Sequence, residues 1–248
     1  MTGIEVIRPG WSVPARVQAA FTLRAGGVSG SPFDSLNVAA HVADDAPAVA
    51  ENRRRVREQL RLPAEPAWLQ QIHGIRVANL DADAAAGTAD AAMTRRDDRV
   101  CVIQVADCIP VLFAARDGSA VAAAHAGWRG LAAGVLEATV EALSVDPHGL
   151  CAWLGPGIGR KHFEVGDEVR AAFLTADIGA GADFEPNARG RWQCDLFALA
   201  RRRLARLGID AVSGGDCCTY EDAGRFFSYR RDGQCGRMAA LVWLSGGS

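Results

Sequence analysis

Cys108 and His125 are the residues whose types and spacing first point to chemistry. Between them lie two apolar runs, Ile109–Ala115 and Ala120–Ala124, separated by Asp117-Gly118. Asp-Gly between apolar runs predicts a β-hairpin with a type I′ turn, which needs positive φ at both central residues. A turn centred on Asp117-Gly118 sets Arg116 opposite Ser119 and His125 opposite Pro110. Cys108 then shares a sheet face with His125 one diagonal step away, roughly 7–8 Å at Cα and closer at the side-chain tips. A lone cysteine at a strand start commonly packs as a small hydrophobe. The convergence of thiol and imidazole is what marks a site.

A third group joins them. His73 closes the segment Trp68-Leu-Gln-Gln-Ile-His73 ahead of Gly74, a predicted strand end that aims a side chain while leaving it accessible. Two imidazoles and a thiolate make a good zinc set with the fourth position open to water or substrate. Two other chemistries use the same residues. Cys108 can serve as a nucleophile with His125 as its base, without metal. Alternatively the three hold zinc structurally, which calls for a fourth protein ligand such as His41.

The elements that must position these groups alternate along the chain. Residues 1–20 read as an edge strand and loop, and Phe21–Ser29 as a short strand entering the Gly26-Gly27 turn. Asp45 is a natural N-cap for a helix over Ala46–Leu62 that stops at Pro63. Ile75–Leu80 is a further predicted strand, Asp81–Asp98 a surface loop rich in Ala, Asp and Gly, and Arg99–Ala106 a β-branched strand entering the hairpin. Beyond the hairpin, Leu131, Val135, Leu136, Thr139 and Leu143 form the apolar stripe of a helix spanning Leu131–Leu143. A strand with a glycine-rich turn follows over Ala152–Gly159, whose glycine order matches neither a dinucleotide nor a P-loop fingerprint. Helices over Asp167–Ala176 and Leu196–Leu207, the second capped by Asp195 and closed by Gly208, alternate with strands at Ala211–Ser213, Phe226–Arg231 and Arg237–Leu244. The economical fold is a single α/β domain over residues 1–248 with mixed or antiparallel sheets.

Bulk properties bound the rest. The chain has 248 residues, 49% hydrophobic and 23% charged, with a net charge of −2, which gives no general pull toward nucleic acid or anionic membrane. No apolar run approaches the ~18 residues of a membrane span, and residues 1–14 carry no apolar signal core. Seven cysteines without paired spacing argue against a disulfide framework and for a reducing, cytoplasmic setting.

The stretches FTLRAGGVS (21–29), SLNVAAHVADD (35–45), QQIHG (70–74), ADCIPVLF (106–113), HAGWRG (125–130), LGPGIG (154–159), FEVGDEV (163–169) and FFSYRRDGQCGRMA (226–239) together resemble the laccase-domain family. That family was once described as multicopper polyphenol oxidases and later as zinc-dependent purine nucleoside phosphorylases. The resemblance runs from Phe21 to Leu244. It implies an α/β/β/α layering, with helices outside the sheets, and metal binding by His73, Cys108 and His125. It further implies zinc, with copper as an adventitious alternative, and phosphorolysis of adenosine, inosine, guanosine and methylthioadenosine with some adenosine deamination. Editing of peptidoglycan precursors is another role it brings. Laccase chemistry fits poorly, because several copper centres need many more ligands than five histidines supply.

Phosphorolysis needs cations for phosphate, and an arginine fork binds such oxygens in pairs. Arg24, Arg129, Arg230 and Arg231 lie in the matched stretches. Asp107 is a candidate general base or support for Cys108, and Asn37 and His41 are further candidates for substrate contact. The expected partners are a nucleoside and phosphate.

Overall fold

A computed structural model describes residues 3–82 and 87–246. The chain opens with β1 (Val6–Ile7), β2 (Val17–Thr22) and α1 (Ala46–Leu60), followed by β3 (Val77–Asn79), β4 (Ala91–Thr94) and β5 (Val100–Val105). The hairpin β6 (Ile109–Ala115) and β7 (Val121–Ala126) leads to α2 (Trp128–Ala133), α3 (Val135–Leu143) and β8 (Leu150–Leu154). Then come β9 (Glu164–Val165), α4 (Asp167–Ala176), β10 (Phe184–Pro186), β11 (Trp192–Cys194) and α5 (Leu196–Arg206). The last elements are β12 (Ala211–Gly214), α6 (Tyr229–Asp232) and β13 (Met238–Leu244).

Two sheets stack face to face. One is antiparallel, in the order β1-β2-β13-β5; the other is mixed, in the order β12-β8-β6-β7-β4-β3. Every residue of β6, β7 and β13 is buried. Both faces of these strands are covered, so they read as continuous apolar runs rather than alternating ones. Leu112 and Ala114 of β6, with Val121 and Ala123 of β7, meet Phe21, Ile103, Ala240 and Val242 between the sheets. Val111, Phe113, Ala122 and Ala124 point the other way, against Leu131, Leu136, Phe173 and Leu204 of the helices. On the far side of the antiparallel sheet, Leu241 and Trp243 pack on Val56 and Leu60 of α1. The resulting layers are α/β/β/α, as the resemblance implied. Among the described residues no helix is long and apolar enough to cross a membrane.

The hairpin has the expected register, with Pro110 paired to His125. Its turn differs. Gly118 N–H donates to Ala115 O, and of the two central residues only Gly118 has positive φ. Arg116 and Ser119 therefore belong to the turn, where Ser119 N–H bonds the Asp117 carboxylate, and Ala115 faces Ala120 instead. The turn remains centred on Asp117-Gly118, so the register survives.

Other expectations are corrected by local causes. Trp68–His73 makes only one isolated bridge, at Gln70, with another at Ala67 just before it, so His73 sits in a loop and not at a strand end. The stretch Asp81–Asp98, read as a loop, contains β4, a short Ala-rich strand with little intrinsic β preference; its residues 83–86 lie outside the described residues. The helix expected over Leu131–Leu143 is two helices, divided at Gly134, whose φ of 105° suits only glycine. In place of a strand over Phe226–Arg231, buried Phe226 and Phe227 lead to Ser228, whose hydroxyl accepts from Arg231 N–H and caps α6. α1 and α5 end at Leu60 and Arg206, one or two residues before their expected limits, and Asp45 and Asp195 cap them as expected. The first strand in the 21–29 region begins earlier, at Val17.

Candidate metal centre

The open end of the hairpin lies at the mouth of the layer between the sheets. His125 projects from the penultimate position of β7, and Cys108 immediately precedes β6 on the same face. His73 arrives from the loop before β3. Its Nε2 lies 3.8 Å from Cys108 Sγ, and the two imidazole rings are 4.7 Å apart at 63°. One donor atom from each of the three falls within 4.8 Å of the others. Tetrahedral zinc with ligand bonds of roughly 2.0–2.3 Å needs about this spacing.

Asp90 assembles the cluster. The β4–β7 register, with Ala91 opposite Ala124, sets Asp90 opposite His125, and His125 N–H bonds Asp90 O at 2.7 Å. The Asp90 carboxylate is fully buried and accepts from His125 Nδ1 at 2.9 Å. That bond fixes the tautomer and leaves Nε2 free for a metal. The same carboxylate accepts the N–H groups of Ile72, His73 and Gly74 at 3.1, 2.8 and 2.7 Å. These three bonds hold His73 at φ 62°, an uncommon backbone state for a side-chain-bearing residue. Burial works against ionising Asp90, but the bonds from His125 and the loop N–H groups prevail and lower its pKa.

Gln71 fastens the same loop to the other sheet. Its carboxamide accepts from Gln104 N–H at 2.8 Å and donates to Gln104 O at 2.9 Å, as a neighbouring strand would along the free edge of β5. Burial raises the Cys108 thiol pKa, but the His125 charge and hydrogen bond, with His73 beside them, outweigh it and bring the thiol below its usual range. Burial likewise opposes charge on His125, and the Cys108 and Asp90 anions overcome it. A thiolate flanked by imidazoles is the form that ligates a metal.

The donor set fits a metal, and so does the space. Gly127, one residue before α2, lies against the cluster: a Cβ there would stand 2.8 Å from His73 Cδ2 and 2.9 Å from Cys108 Sγ. The glycine of HAGWRG therefore preserves the cradle by having no side chain.

The cluster opens on a cavity of about 610 Å³. Trp128, Phe163 and Tyr229 are among its aromatic lining, and His41, Gln104 and Arg237 among its polar lining. Of the sequence candidates, Asp107, Arg129, Arg230 and His41 reach this cavity. Arg129 is exposed, with its guanidinium 4.4 Å from the Trp128 ring centre. Arg230 lies over Phe163 and donates from Nη1 to Glu164 O at 2.9 Å. Asp107, at φ 89°, accepts from Thr219 Oγ1 at 2.6 Å and Arg230 N–H at 2.7 Å. One carboxylate oxygen thus anchors the loop at Thr219 and the other the start of α6.

The structure separates the other candidates from the cavity. Arg24 is held by Asp34 and Ala223 O over the Phe227 ring, in a different recess. Asn37 is fully buried and bonds Ala39, Asp44 and Arg237 N–H. Arg231 is tied to Asp232, Thr219 O and Phe226 O. Gln71 and Arg237 lie within the stretches QQIHG and FFSYRRDGQCGRMA without being singled out there, and no local motif marks Asp90 or Gln104. The pairing of distant segments brings Asp90, Gln104 and Arg237 to the site, while Gln71 arrives on the same loop as His73.

The family model described as multi-copper polyphenol oxidoreductase laccase matches residues 18–245. A Pseudomonas aeruginosa protein named purine nucleoside phosphorylase is 53% identical over 96% of this chain and 98% of its own. The Escherichia coli purine nucleoside phosphorylase YfiH is 48% identical over 97% and 99%. The crystal structure of a Neisseria meningitidis protein superposes with a TM-score of 0.94 at 46% identity, covering 97% of this chain and 99% of that one. The chain belongs to the laccase-domain family, alongside the bacterial YfiH proteins.

Proposed function

We propose that this protein is a zinc-dependent purine nucleoside phosphorylase. The observation that carries the reading is the junction of a His-Cys-His cradle with an aromatic and arginine-lined cavity. The names of the similar bacterial proteins support it. His73, Cys108 and His125 would hold the metal, which when bound would supply Lewis-acid stabilisation of developing charge.

In the reaction the C1′–N9 bond breaks, its electron pair leaving with the purine, and a phosphate oxygen forms the new bond to C1′. Arg129 and Arg230 supply positive charge for phosphate at the cavity wall, and Arg129 is oriented by stacking on Trp128. Aromatic side chains offer faces to the purine. Asp107 sets the position of α6 and hence of Arg230. Asp90 keeps the His125 proton on Nδ1 and holds the His73 loop. Adenosine, inosine, guanosine and methylthioadenosine are the proposed substrates, with adenosine deamination as a side activity. All seven cysteines are free thiols, which fits a cytoplasmic location.

Elemental analysis and product chromatography test the proposal together. About one zinc per chain is expected, with inosine converted to hypoxanthine and ribose 1-phosphate only when phosphate is present. Ribose formed without phosphate would indicate hydrolysis. Full activity in metal-free protein, abolished when iodoacetamide alkylates Cys108, would favour a cysteine nucleophile. Copper in place of zinc with phenol oxidation would favour the oxidase description.

A further inference from the structure

Of the three arginines that line the cavity, Arg129 and Arg230 are exposed and Arg237 is half-buried. Charges withdrawn from water are normally paired, because desolvation without a counterion is costly. Arg24, Arg203 and Arg231, half-buried elsewhere, each meet a carboxylate. The Arg237 guanidinium meets none among the described residues; its Nη1 donates to Cys235 O at 2.8 Å and Gly236 O at 3.0 Å. Its Nε and Nη2 carry no hydrogen bond, and neither is shut off from solvent. That edge of the guanidinium is the one through which Arg96 and Arg231 each hold both oxygens of a carboxylate. In Arg237 it is free, 5.8 Å being the distance from the guanidinium to the Tyr229 ring centre at the same cavity.

His41 lines the cavity too, is exposed, and forms no side-chain hydrogen bond among the described residues. Desolvation and the charges of Arg237 and Arg53 push its pKa down. The positive field is not offset from within. Asp107 is the single acid in the cavity lining, and its two oxygens are taken by Thr219 Oγ1 and Arg230 N–H. A cleft lined by one sign of charge attracts the other. One buried side chain fixes both donors from behind. Asn37 Oδ1 accepts from Arg237 N–H at 2.9 Å and from Ala39 N–H at 3.0 Å, and Nδ2 donates to Ala39 O at 3.1 Å, two residues before His41. Donors held in place before binding lose less entropy when a ligand arrives.

We propose that Arg237 and His41, positioned by Asn37, form an oxyanion-binding subsite of the cavity that takes a phosphoryl group, either free phosphate or the 5′-phosphate of a nucleotide. The phosphoryl identity rests on the phosphorylase reading; the unpaired guanidinium edge stands without it. An arginine edge also matches the O6 and N7 of a purine, but those atoms are neutral and would leave the positive charge around Arg237 uncompensated. A phosphoryl dianion offers paired oxygens and the missing charge together. No bond is made or broken at this subsite; it holds the anion.

Calorimetric titration of zinc-loaded protein tests this, with inorganic phosphate, inosine and inosine 5′-monophosphate as probes. R237Q keeps a polar side chain and loses the charge. It is expected to weaken phosphate binding, or the preference for the monophosphate over inosine, by roughly tenfold or more, while inosine affinity stays within about twofold. A loss confined to phosphate identifies free phosphate as the occupant, and a loss confined to the monophosphate preference identifies a nucleotide. Loss of both identifies one position open to either. Loss of affinity for inosine itself would overturn the proposal in favour of base recognition by Arg237. Unchanged affinities for all three probes would overturn it and leave Arg237 a structural tie to Cys235 and Gly236. Native protein that neither binds phosphate nor prefers the monophosphate would overturn it as well. Should R237Q not fold, R237K decides: it keeps the charge without the fork, a partial loss is expected, and none would overturn the proposal. Binding is read without turnover, so failure of the native enzyme to release base would refute the phosphorylase reading and leave these titrations decisive.

Discussion

Asp90 and His125 face each other across the β4–β7 pairing, joined by backbone at 2.7 Å and by side chain at 2.9 Å. Because the same carboxylate also grips the Ile72–Gly74 backbone, one residue sets the tautomer of His125 and the backbone state of His73, two of the proposed ligands. Replacing Asp90 by Asn keeps the volume and removes the charge. It also places an N–H₂ where an acceptor is needed. Metal affinity is expected to fall about 10–100-fold, read by competition with a chromophoric chelator. An unchanged affinity would show that packing alone orients His125.

Gly127→Ala tests the fit of the cradle. Gly127 has φ −70°, which any residue tolerates, so the helix that follows should still form. The new methyl would sit inside contact distance of His73 and Cys108. Expected is a folded protein with native circular dichroism and at least tenfold lower zinc affinity. Full zinc occupancy in this variant would mean the ligands can spread without loss.

Removing the metal should be visible in stability as well as activity. The ligands converge only in the folded chain, so zinc binding stabilises the native state. Free zinc at 100 times its Kd adds about 2.7 kcal/mol, equivalent to roughly 5–10 °C in Tm for a chain of this size. Chelator-treated protein should melt lower and recover on adding zinc. Identical melting curves with and without zinc would contradict the site.

How much of this was legible in the sequence varied with the range of the interactions. The hairpin was, because its register is fixed by the apolar runs and the turn between them, even though the turn type differs. Cys108 and His125 converge for the same local reason. His73 could be named, yet its position depends on Asp90 and Gln71, which hold a loop where a strand was expected. Asp90 itself lay in a segment too rich in Ala and Asp to announce a strand, and its role follows from the pairing of β4 with β7. Arginines were the least legible. Spacing cannot tell Arg24, enclosed by Asp34 and Ala223, from Arg129, exposed beside the cavity.

That contrast gives the last prediction. Arg129 stacks on Trp128, is exposed, and forms no side-chain hydrogen bond among the described residues. Its guanidinium is therefore available to an anion entering the cavity. Arg129→Ala should raise the KM for phosphate more than the KM for nucleoside, since a charge-assisted contact is worth roughly 1.5–3 kcal/mol, or about 10–150-fold. Arg24→Ala should act on stability instead. Its Nε and Nη2 bond Asp34 O and its Nη1 bonds Ala223 O, so the loss falls on the packing of two loops. A lower Tm with an unchanged phosphate KM is expected for Arg24→Ala. Steady-state kinetics with each substrate varied at saturating levels of the other separates these outcomes. If both substrates' KM values shift equally in Arg129→Ala, the residue supports the start of α2 and phosphate is held elsewhere.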